Sequence, residues 1–324
     1  MPEKEVIAVV GATGSQGGGL VRAILADPAQ RFAARALTRD ANSPKAQELA
    51  AAGAHVVGAD LNDEMSVREA FDGAHGAFVV TNYFVERTPE QEAARTRSEM
   101  ELEQAAAAAR AARGAGVAHV IWSTLEDTRL FFGDSDRVPT LQGRYKVPHF
   151  DAKADADQTF RQYGVPTTFL RTTFFFEDFQ MAGMGPARNE DGALTLTIPM
   201  ADRRLAGIAV EDIGKTALGI FKRGSGYIGK TVSIAADHLT GEQYAAALSE
   251  ALGEEVRYRP FGWDEYRRLG FPGAVEFGNM FQYYAENSER FTGDRDLTLV
   301  RELNPQLQSF RDWLTLHKLE IPTS

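Results

Sequence analysis

Residues 6–19 read VIAVVGATGSQGGG, an apolar run that leads directly into five glycines within nine residues. The apolar run predicts a buried strand, because β-branched and small apolar residues follow one another without a polar break. The segment LVRAILA that comes next has its apolar residues at helical spacing. A strand, a glycine-rich turn and a helix in this order predict the first turn of a βαβ unit, where the backbone comes close to another group.

The alternation of strand and helix continues to about residue 172. The predicted strands are 6–11, 33–39, 54–60, 76–82, 117–124 and 166–172. The predicted helices between them are 17–28, 43–53, 63–73, 98–116 and 149–164. Such alternation implies parallel strands that are joined by right-handed crossovers, with helices on both faces of the sheet. We therefore predict an α/β protein with a Rossmann-type doubly wound parallel sheet.

Beyond residue 172 the alternation becomes irregular and the chain is rich in aromatic residues. Thr240 and Gln243 have the spacing of a capping box, which predicts a helix from Thr240. Asn304 and Pro305 predict the start of the last helix, as its N-cap and first residue. We predict two domains, a dinucleotide-binding domain at 1–172 and a smaller C-terminal α/β region at 173–324 that packs on it and forms a cleft.

Composition and charge exclude several classes of function. The chain carries 35 Lys and Arg against 45 Asp and Glu, a net charge of -10, which disfavours direct nucleic-acid binding. It has no cysteine, which excludes disulfides and thiolate chemistry, and its six histidines form no pair at ligand spacing, so no metal is expected. No run approaches the ~18 apolar residues of a membrane helix, and no signal-peptide pattern is present, so we expect a cytoplasmic protein without a membrane partner.

The glycines at 11, 14 and 17 form Gly-x-x-Gly-x-x-Gly, a variant of the dinucleotide fingerprint. One glycine of that fingerprint makes the tight turn, one lets the pyrophosphate approach, and one lets the helix pack on the strand. The unpaired N–H groups at the start of a helix also attract phosphate. The loop contacts predicted from this pattern are Gly11, Thr13, Gly14, Ser15, Gln16 and Gly17.

The end of the second predicted strand indicates which dinucleotide is bound. NAD sites usually place an acid there for the ribose 2′-hydroxyl, whereas NADP sites place a cation for the 2′-phosphate. Thr38 and Arg39 occupy this strand end, and the planar fork of Arg39 suits a phosphate. The alternative is that Arg39 is solvated and Asp40 binds the ribose. We predict NADP(H) as the preferred cofactor over NAD(H).

Two further strand ends are expected to face the same crevice, since ligands lie outside the carboxyl ends of parallel strands. Asp60 and Leu61 are predicted to flank the adenine, unless Asp60 caps the helix that follows. The residues predicted to lie beside the ribose or pyrophosphate are Thr81, Asn82 and Tyr83.

Candidate catalytic residues occur at the end of the fifth predicted strand and on the helix that follows it. A short-chain dehydrogenase places a Ser after the fifth strand and Tyr-x-x-x-Lys on the next helix, where the Lys holds the nicotinamide ribose. Ser123 and Lys153 match this pattern, but His149 stands where the Tyr is expected, one helical turn before the Lys. His149 is either a general acid in a reduction or a structural residue at a helix start. Tyr145 lies too far from Lys153 to replace it.

A series of motifs resembles the NmrA-like family, and in particular its NADPH-sensor branch. The motifs are GATGSQGG, LTR, VTNY, VPHFDAK, GVPTTFLRTTFFFED and LGFPGA, in this order across nearly the whole chain. That family is an atypical branch of the short-chain dehydrogenases, with a Rossmann domain and a small C-terminal domain. The connection at 84–104 is longer than the family pattern.

The resemblance implies a set of cofactor contacts and a class of partner. The implied contacts are Gly11, Ala12, Thr13, Gly14, Ser15, Gln16, Arg39, Asp60, Leu61, Thr81, Asn82, Tyr83, Lys153, Phe175, Phe176, Glu177 and Asp178, the last four over the nicotinamide side. Better-known members of the family bind dinucleotides without evident turnover and act on partner proteins, among them transcription factors and a urea-cycle enzyme.

Two hypotheses for the function follow from the sequence. The first is an NADP(H)-binding redox sensor that acts on a regulatory protein partner. The second is an NADPH-dependent reductase of a small carbonyl or quinone acceptor, with Lys153 and either His149 or Ser123 as its catalytic residues. The aromatic segment at 174–179 lines a substrate pocket in the second hypothesis, but aromatic residues at this spacing are also typical of a core.

Overall fold

The computed structural model describes residues 4–181 and 183–323. Its strands are β1 (Glu5–Val9), β2 (Phe32–Thr38), β3 (His55–Gly58), β4 (Gly76–Val79), β5 (His119–Thr124), β6 (Thr167–Arg171), β7 (Phe174–Phe175), β8 (Ala187–Arg188), β9 (Leu194–Leu196), β10 (Arg204–Ile208), β11 (Thr231–Ser233), β12 (Asp237–Thr240) and β13 (Val256–Tyr258). Its α-helices are α1 (Ser15–Ala26), α2 (Pro44–Ala51), α3 (Glu64–Phe71), α4 (Pro89–Ala94), α5 (Arg97–Gly114), α6 (Arg129–Phe132), α7 (Pro148–Gln162), α8 (Val210–Arg223), α9 (Gly241–Leu252), α10 (Trp263–Arg267), α11 (Ala274–Glu286), α12 (Ser288–Gly293), α13 (Leu297–Leu303) and α14 (Phe310–His317).

The central sheet has seven strands in the order β11-β6-β5-β4-β1-β2-β3. The neighbouring pairs from β3 to β6 are all parallel. From β1 the chain first adds β2 and β3 on one side and then β4, β5 and β6 on the other. The order of strands therefore reverses beside β1, which is where α/β folds of this type open a crevice for a ligand. The prediction of a doubly wound parallel sheet is confirmed.

The strands of the central sheet form where the apolar runs of the sequence predict them. All six predicted strands of the first half are present, with ends that differ by at most three residues. The alanine-rich run lies on α5, whose small side chains are buried in the same core cluster as Trp122 and Phe160. The Trp122 and Phe160 rings are stacked with their centroids 5.1 Å apart. Small residues on α5 bring this helix close to the sheet, so the run is part of a packed helix.

The chain divides into two compact units that are not contiguous in sequence. The sheet unit comprises the chain up to Asp127, His149–Arg171 and Glu211–Val232. The second unit comprises Thr128–Pro148, Thr172–Val210 and the chain from Ser233 onward. We predicted a single boundary, after residue 172, and the chain changes unit between Arg171 and Thr172. It also changes unit after Asp127, Pro148, Val210 and Val232, so α8 and most of β11 belong to the sheet unit.

The second unit contains two small sheets, with strand orders β12-β10-β7 and β13-β9-β8. Its aromatic residues form a packed cluster, in which the Phe176, Phe179 and Tyr244 rings surround Phe310 at centroid distances of 4.9 to 5.1 Å. The helix predicted from Thr240 is present as α9, with the Thr240 and Gln243 capping box.

The predicted start of the last helix was wrong. Asn304 follows α13 as its C-cap, and its side chain accepts a hydrogen bond from the Gln306 N–H in a turn. The last α-helix begins instead at Phe310, where Ser309 and Asp312 form a capping box. Asn-Pro is also a turn former, and this second property decides the local structure here.

Candidate functional site

The turn between β1 and α1 has no room for side chains at the positions of the fingerprint. Gly11 has a φ of +66°, a conformation that residues with a Cβ rarely adopt. A Cβ on Gly17 would lie 2.5 Å from the Gly11 carbonyl oxygen and 2.7 Å from that of Val10. A Cβ on Gly14 would lie 3.2 Å from the Gly11 oxygen. The loop therefore folds tightly against the end of β1.

Gly19 serves a second purpose that the sequence analysis missed. A Cβ on Gly19 would lie 3.2 Å from the backbone of Glu211 in α8. On the facing side, a Cβ on Gly214 would lie 2.2 Å from the backbone nitrogen of Leu20. Glycines on both helices thus let the backbones of α1 and α8 touch inside the sheet unit. The glycine-rich stretch is longer than a ligand loop requires because its end is a helix contact.

Replacing Gly17 with alanine is expected to lower the free energy of unfolding by about 2 kcal/mol, because the added methyl group overlaps two backbone oxygens. The matched control is Gly58→Ala in β3, where a Cβ would meet no atom within 4 Å. The measurement is urea denaturation followed by circular dichroism. Equal stability of Gly17→Ala and Gly58→Ala would contradict the tight packing of the loop.

The start of α1 lacks the side-chain cap that its neighbours have. Ser43, Asp63 and Thr96 each accept a backbone N–H at the start of α2, α3 and α5. The N-cap of α1 is Gly14, which has no side chain to offer, and the first helical hydrogen bond is donated by Gly18 to the Gly14 oxygen at 3.0 Å. N–H groups at such a helix start, together with the helix dipole, favour an anion. The turn therefore fits the pyrophosphate of a dinucleotide.

At the end of β2, the Arg39 side chain is exposed and pairs with no side chain or carbonyl group in the described part of the chain. The hydroxyl groups of Thr38 and Thr13 are 3.5 Å apart, so β2 touches the glycine loop. Asp40, the alternative ribose ligand, already accepts a hydrogen bond of 2.9 Å from the Asn42 N–H. The arrangement leaves the Arg39 guanidinium available for a phosphate.

At the end of β3, the Asp60 carboxylate closes a turn. It accepts hydrogen bonds from the backbone N–H of Asn62 at 2.9 Å and from its amide at 2.8 Å. The N-cap of α3 is Asp63, so the alternative role of Asp60 as the cap of this helix does not apply. Leu61 is half-buried and packs against the core of the sheet.

His149, which stands in the place of the expected tyrosine, lies in an aromatic cluster. It is buried, and its ring lies 4.9 Å from that of Phe150, 5.1 Å from Phe84 and 5.8 Å from Tyr83, measured between centroids. Asn82 supports this segment by accepting a hydrogen bond from the Phe84 N–H at 3.1 Å. The packing favours the structural interpretation of His149.

Ser123 connects β5 with the glycine loop. Its hydroxyl donates a hydrogen bond of 2.7 Å to the side-chain oxygen of Gln16. Ser123 is only 2% exposed, so the bond is shielded from water. Ser123 and Gln16 therefore hold the glycine loop in place.

Lys153 is paired with an acid that the sequence analysis missed. Its ammonium group contacts the Thr81 hydroxyl at 2.7 Å, the Thr81 carbonyl oxygen at 3.2 Å, and a carboxylate oxygen of Glu101. Glu101 lies on α5 and is fully buried, and the Thr81 hydroxyl donates to the same carboxylate oxygen. A signal was present in the sequence, since Glu101 stands four residues before Ala105 and seven before Ala108, on the face of the helix that packs on the sheet.

Asp157, one turn after Lys153 on α7, accepts hydrogen bonds from the Trp122 indole at 2.9 Å and the Thr124 hydroxyl at 2.7 Å. Burial raises the pKa of Asp157 to about 6, even though these bonds and the charges of Arg171 and Arg161 lower it. Both hydrogen bonds go to one carboxylate oxygen, so an asparagine at this position retains an acceptor for each of them.

The raised pKa of Asp157 predicts a pH-dependent stability. Because the folded state binds this proton more tightly than the unfolded state, stability is highest below the unfolded pKa, near 4, and falls by about 3 kcal/mol as pH rises through about 6. The variant Asp157→Asn is expected to lack this fall. Urea denaturation of both proteins at pH 4.5 and 7.5 measures about 2 kcal/mol of this fall, because the remainder is already lost at pH 4.5. A difference between the two proteins that stays constant with pH would contradict the raised pKa.

The segment Phe175–Asp178, in the second unit, uses its side chains within that unit. Phe176 is fully buried in the aromatic cluster described above, so its side chain offers no surface to a ligand. The Glu177 carboxylate accepts hydrogen bonds from the Val210 N–H at 3.0 Å and the Trp313 indole at 3.1 Å, and burial raises its pKa. Asp178 accepts from the Phe175 N–H at 3.0 Å, and burial raises its pKa to about 7. For Phe176, the core interpretation of the aromatic run is the better one.

The described part of the chain lacks two features, a cluster of metal-binding side chains and a helix able to cross a membrane. Residues 4–181 and 183–323 contain no group of three or more His, Asp or Glu side chains placed to hold a metal ion. None of the helices in these residues is long and apolar enough to cross a membrane.

The parallel sheet with its reversal beside β1 and its glycine-rich first turn define a Rossmann-type protein. The chain belongs to the NmrA-like family, whose model matches residues 3–313. This confirms the resemblance to the NmrA-like family that the motifs indicate.

Individual relatives fit this assignment. The NmrA-like family domain-containing oxidoreductase malD of Malbranchea aurantiaca is 29% identical over 332 residues, which cover 96% of each chain. Among solved structures, NmrA, a negative transcriptional regulator, was crystallised in complex with NADP and superposes with a TM-score of 0.73 at 24% identity, covering 98% of this chain and 97% of that one. A complex of NmrA with NAD gives a TM-score of 0.74. The triphenylmethane reductase of Citrobacter sp., complexed with NADP(H), gives 0.71 at 18% identity, covering 97% and 99%.

Proposed function

We propose that this protein binds NADP(H) and acts as a redox-sensing regulator, without the catalysis of a standard short-chain dehydrogenase. The proposal rests on the contacts of the three candidate catalytic residues, each of which is packed against or hydrogen-bonded to other side chains. His149 replaces the tyrosine and is packed among aromatic rings. The Lys153 ammonium is engaged by Thr81 and Glu101, and the Ser123 hydroxyl is engaged by Gln16.

The residues around the glycine loop support dinucleotide binding. The Gly11–Gly17 turn and the uncapped start of α1 would hold the pyrophosphate. Arg39 would hold a 2′-phosphate, which supports a preference for NADP(H) over NAD(H). NmrA has been crystallised with either dinucleotide, so the preference has to be measured for this chain. A bound nicotinamide dinucleotide would be able to donate or accept a hydride, which only the reductase hypothesis requires.

The connection after β4 supports a regulatory role with a protein partner. Arg97 of α5 donates hydrogen bonds of 2.8 and 2.9 Å to the carbonyl oxygens of Tyr83, a predicted cofactor contact, and of Val85. Next along the chain, α4 has no buried residue and carries Glu90 and Glu92. Arg97 also pairs with Glu92, so a change at Tyr83 on cofactor binding would reach this exposed acidic helix through Arg97.

The second candidate is an NADPH-dependent reductase of a small carbonyl or quinone acceptor. It is favoured by the relatives, since malD is named an oxidoreductase and the Citrobacter protein is a reductase. In this case His149 has to donate a proton to the acceptor oxygen, and its ring has to leave the contact with Phe84, which is 50% exposed.

One experiment separates the two candidates. Calorimetric titrations with NADPH, NADP and NADH measure binding, and absorbance of the same samples at the nicotinamide band follows turnover with a panel of quinones and aldehydes. We expect tight NADPH binding and no acceptor-dependent loss of the band. Loss of the band that disappears in His149→Ala would establish the reductase and overturn the sensor. Absence of binding to all three dinucleotides would overturn both.

A further inference from the structure

We propose that Glu101 is a positioning residue of the dinucleotide site, which fixes Lys153 against Thr81 so that the two act as one unit on the nicotinamide half of the cofactor. This inference rests on the proposed function, since it presupposes that the chain binds a dinucleotide. It goes beyond the expectation drawn from the family, which names Lys153 as a cofactor contact and assigns no role to Glu101.

The first support is that the hydrogen-bonding capacity of Lys153 is used up. An ammonium group has three N–H donors, and three oxygen atoms surround this one. They are the Thr81 hydroxyl oxygen at 2.7 Å, the Thr81 carbonyl oxygen at 3.2 Å and Glu101 Oε1. The Lys153 nitrogen also lies 5.2 Å from the centre of the Trp122 ring. Lys153 is therefore held in one position from several sides, and a ribose hydroxyl would take the place of its longest contact, the one with the Thr81 carbonyl oxygen.

The second support is that the side-chain hydrogen bonds of Glu101 within the described chain go only to Lys153 and Thr81. Its side chain is fully buried on the face of α5 that otherwise carries small residues such as Ala105 and Ala108. Its second carboxylate oxygen, Oε2, is buried and makes no hydrogen bond with any residue of the described chain. A half-satisfied buried carboxylate costs stability, whereas an apolar residue there would pack without this cost. The contacts of the carboxylate with Lys153 and Thr81 are what offsets this cost.

The third support is the position of the unit in the sheet. Thr81 follows β4, and Arg39 follows β2, so the two lie on opposite sides of β1 and its glycine loop. A dinucleotide lies across this point with one half on each side. Because Arg39 is on the side proposed for the 2′-phosphate and the adenine, the unit of Glu101, Lys153 and Thr81 is on the nicotinamide side.

The test compares the binding of NADPH with the binding of a ligand that contains only its adenine half. In calorimetric titrations, Glu101→Gln is expected to bind NADPH about tenfold more weakly than the wild type, as for the loss of one hydrogen bond to a charged group. It is expected to bind adenosine 2′,5′-bisphosphate, which carries only the adenine half, with unchanged affinity. The control is Glu103→Gln, an exposed acid two residues further on α5 that pairs with Arg95.

A double variant tests whether Glu101 acts through Lys153. The variant Glu101→Gln/Lys153→Met is expected to bind NADPH no more weakly than Lys153→Met alone, and this comparison also serves if Glu101→Gln does not fold. The inference is overturned if Glu101→Gln binds NADPH like the wild type, if it loses both ligands equally, or if the two substitutions add. A wild-type protein that binds no dinucleotide would overturn the proposed function itself.

Discussion

Replacing Glu101 with glutamine is expected to lower the free energy of unfolding by about 3 kcal/mol. The substitution removes the carboxylate that balances the buried Lys153 ammonium and leaves the cation among α5, α7 and the end of β4. Removing one partner of a buried ion pair costs more than the pair itself contributes, because the remaining charge has been taken out of water without compensation. Urea denaturation at neutral pH measures the loss.

The double variant Glu101→Gln/Lys153→Met is the critical comparison for this prediction. It contains neither charge, so we expect it to be more stable than Glu101→Gln alone by about 2 kcal/mol. Glu103→Gln disrupts an exposed ion pair with Arg95 and is expected to change stability by less than about 1 kcal/mol. If Glu101→Gln were as stable as Glu103→Gln, the buried pair would not form in solution.

Replacing Arg39 with alanine is expected to weaken NADPH binding about 100-fold and to leave NADH binding nearly unchanged. NADPH differs from NADH by its 2′-phosphate, and a planar guanidinium makes two charge-assisted hydrogen bonds to such a group. Arg39 is exposed at the end of β2 and pairs with no other described residue, so its loss disturbs no internal contact. Calorimetric titration with both dinucleotides measures the effect.

The control for Arg39 is Arg113→Ala, which removes an exposed arginine in the last turn of α5. It changes the net charge by the same amount but lies at a helix C-terminus, away from the strand end that carries Arg39. Affinity for NADPH should stay at the wild-type value in this variant. Equal weakening of NADPH and NADH by Arg39→Ala would mean that Arg39 does not bind the 2′-phosphate.

The sequence predicts the features that depend on neighbouring residues. The strands of the central sheet are apolar runs, and their periodicity is local, so their positions are predicted within a few residues. The role of Gly17 is also local, because the overlapping atoms belong to Val10 and Gly11 in the same turn. These features are readable because the residues that determine them lie within about ten positions of each other.

Features that depend on distant residues were missed or only partly seen. Glu101 meets Lys153 across 52 positions, and Ser123 meets Gln16 across 107. Gly19 has to be a glycine because of α8, about 190 positions later, which no local pattern indicates. Phe176 belongs to a cluster with Phe310 and Trp313, so its burial is decided by the end of the chain. Sequence reasoning finds the strand ends that form a site, but not the partners that hold their side chains.

The division of the chain into interleaved units has a consequence for synthesis on the ribosome. The edge strand β11, next to β6, and the helix α8, against α1, are encoded after Thr172–Val210, a segment of the second unit. The sheet unit therefore cannot be completed until about 40 residues of the second unit have been synthesised. Expression of residues 1–172 alone would leave β6 with an open edge and the glycines of α1 uncovered, which makes such a fragment prone to aggregate.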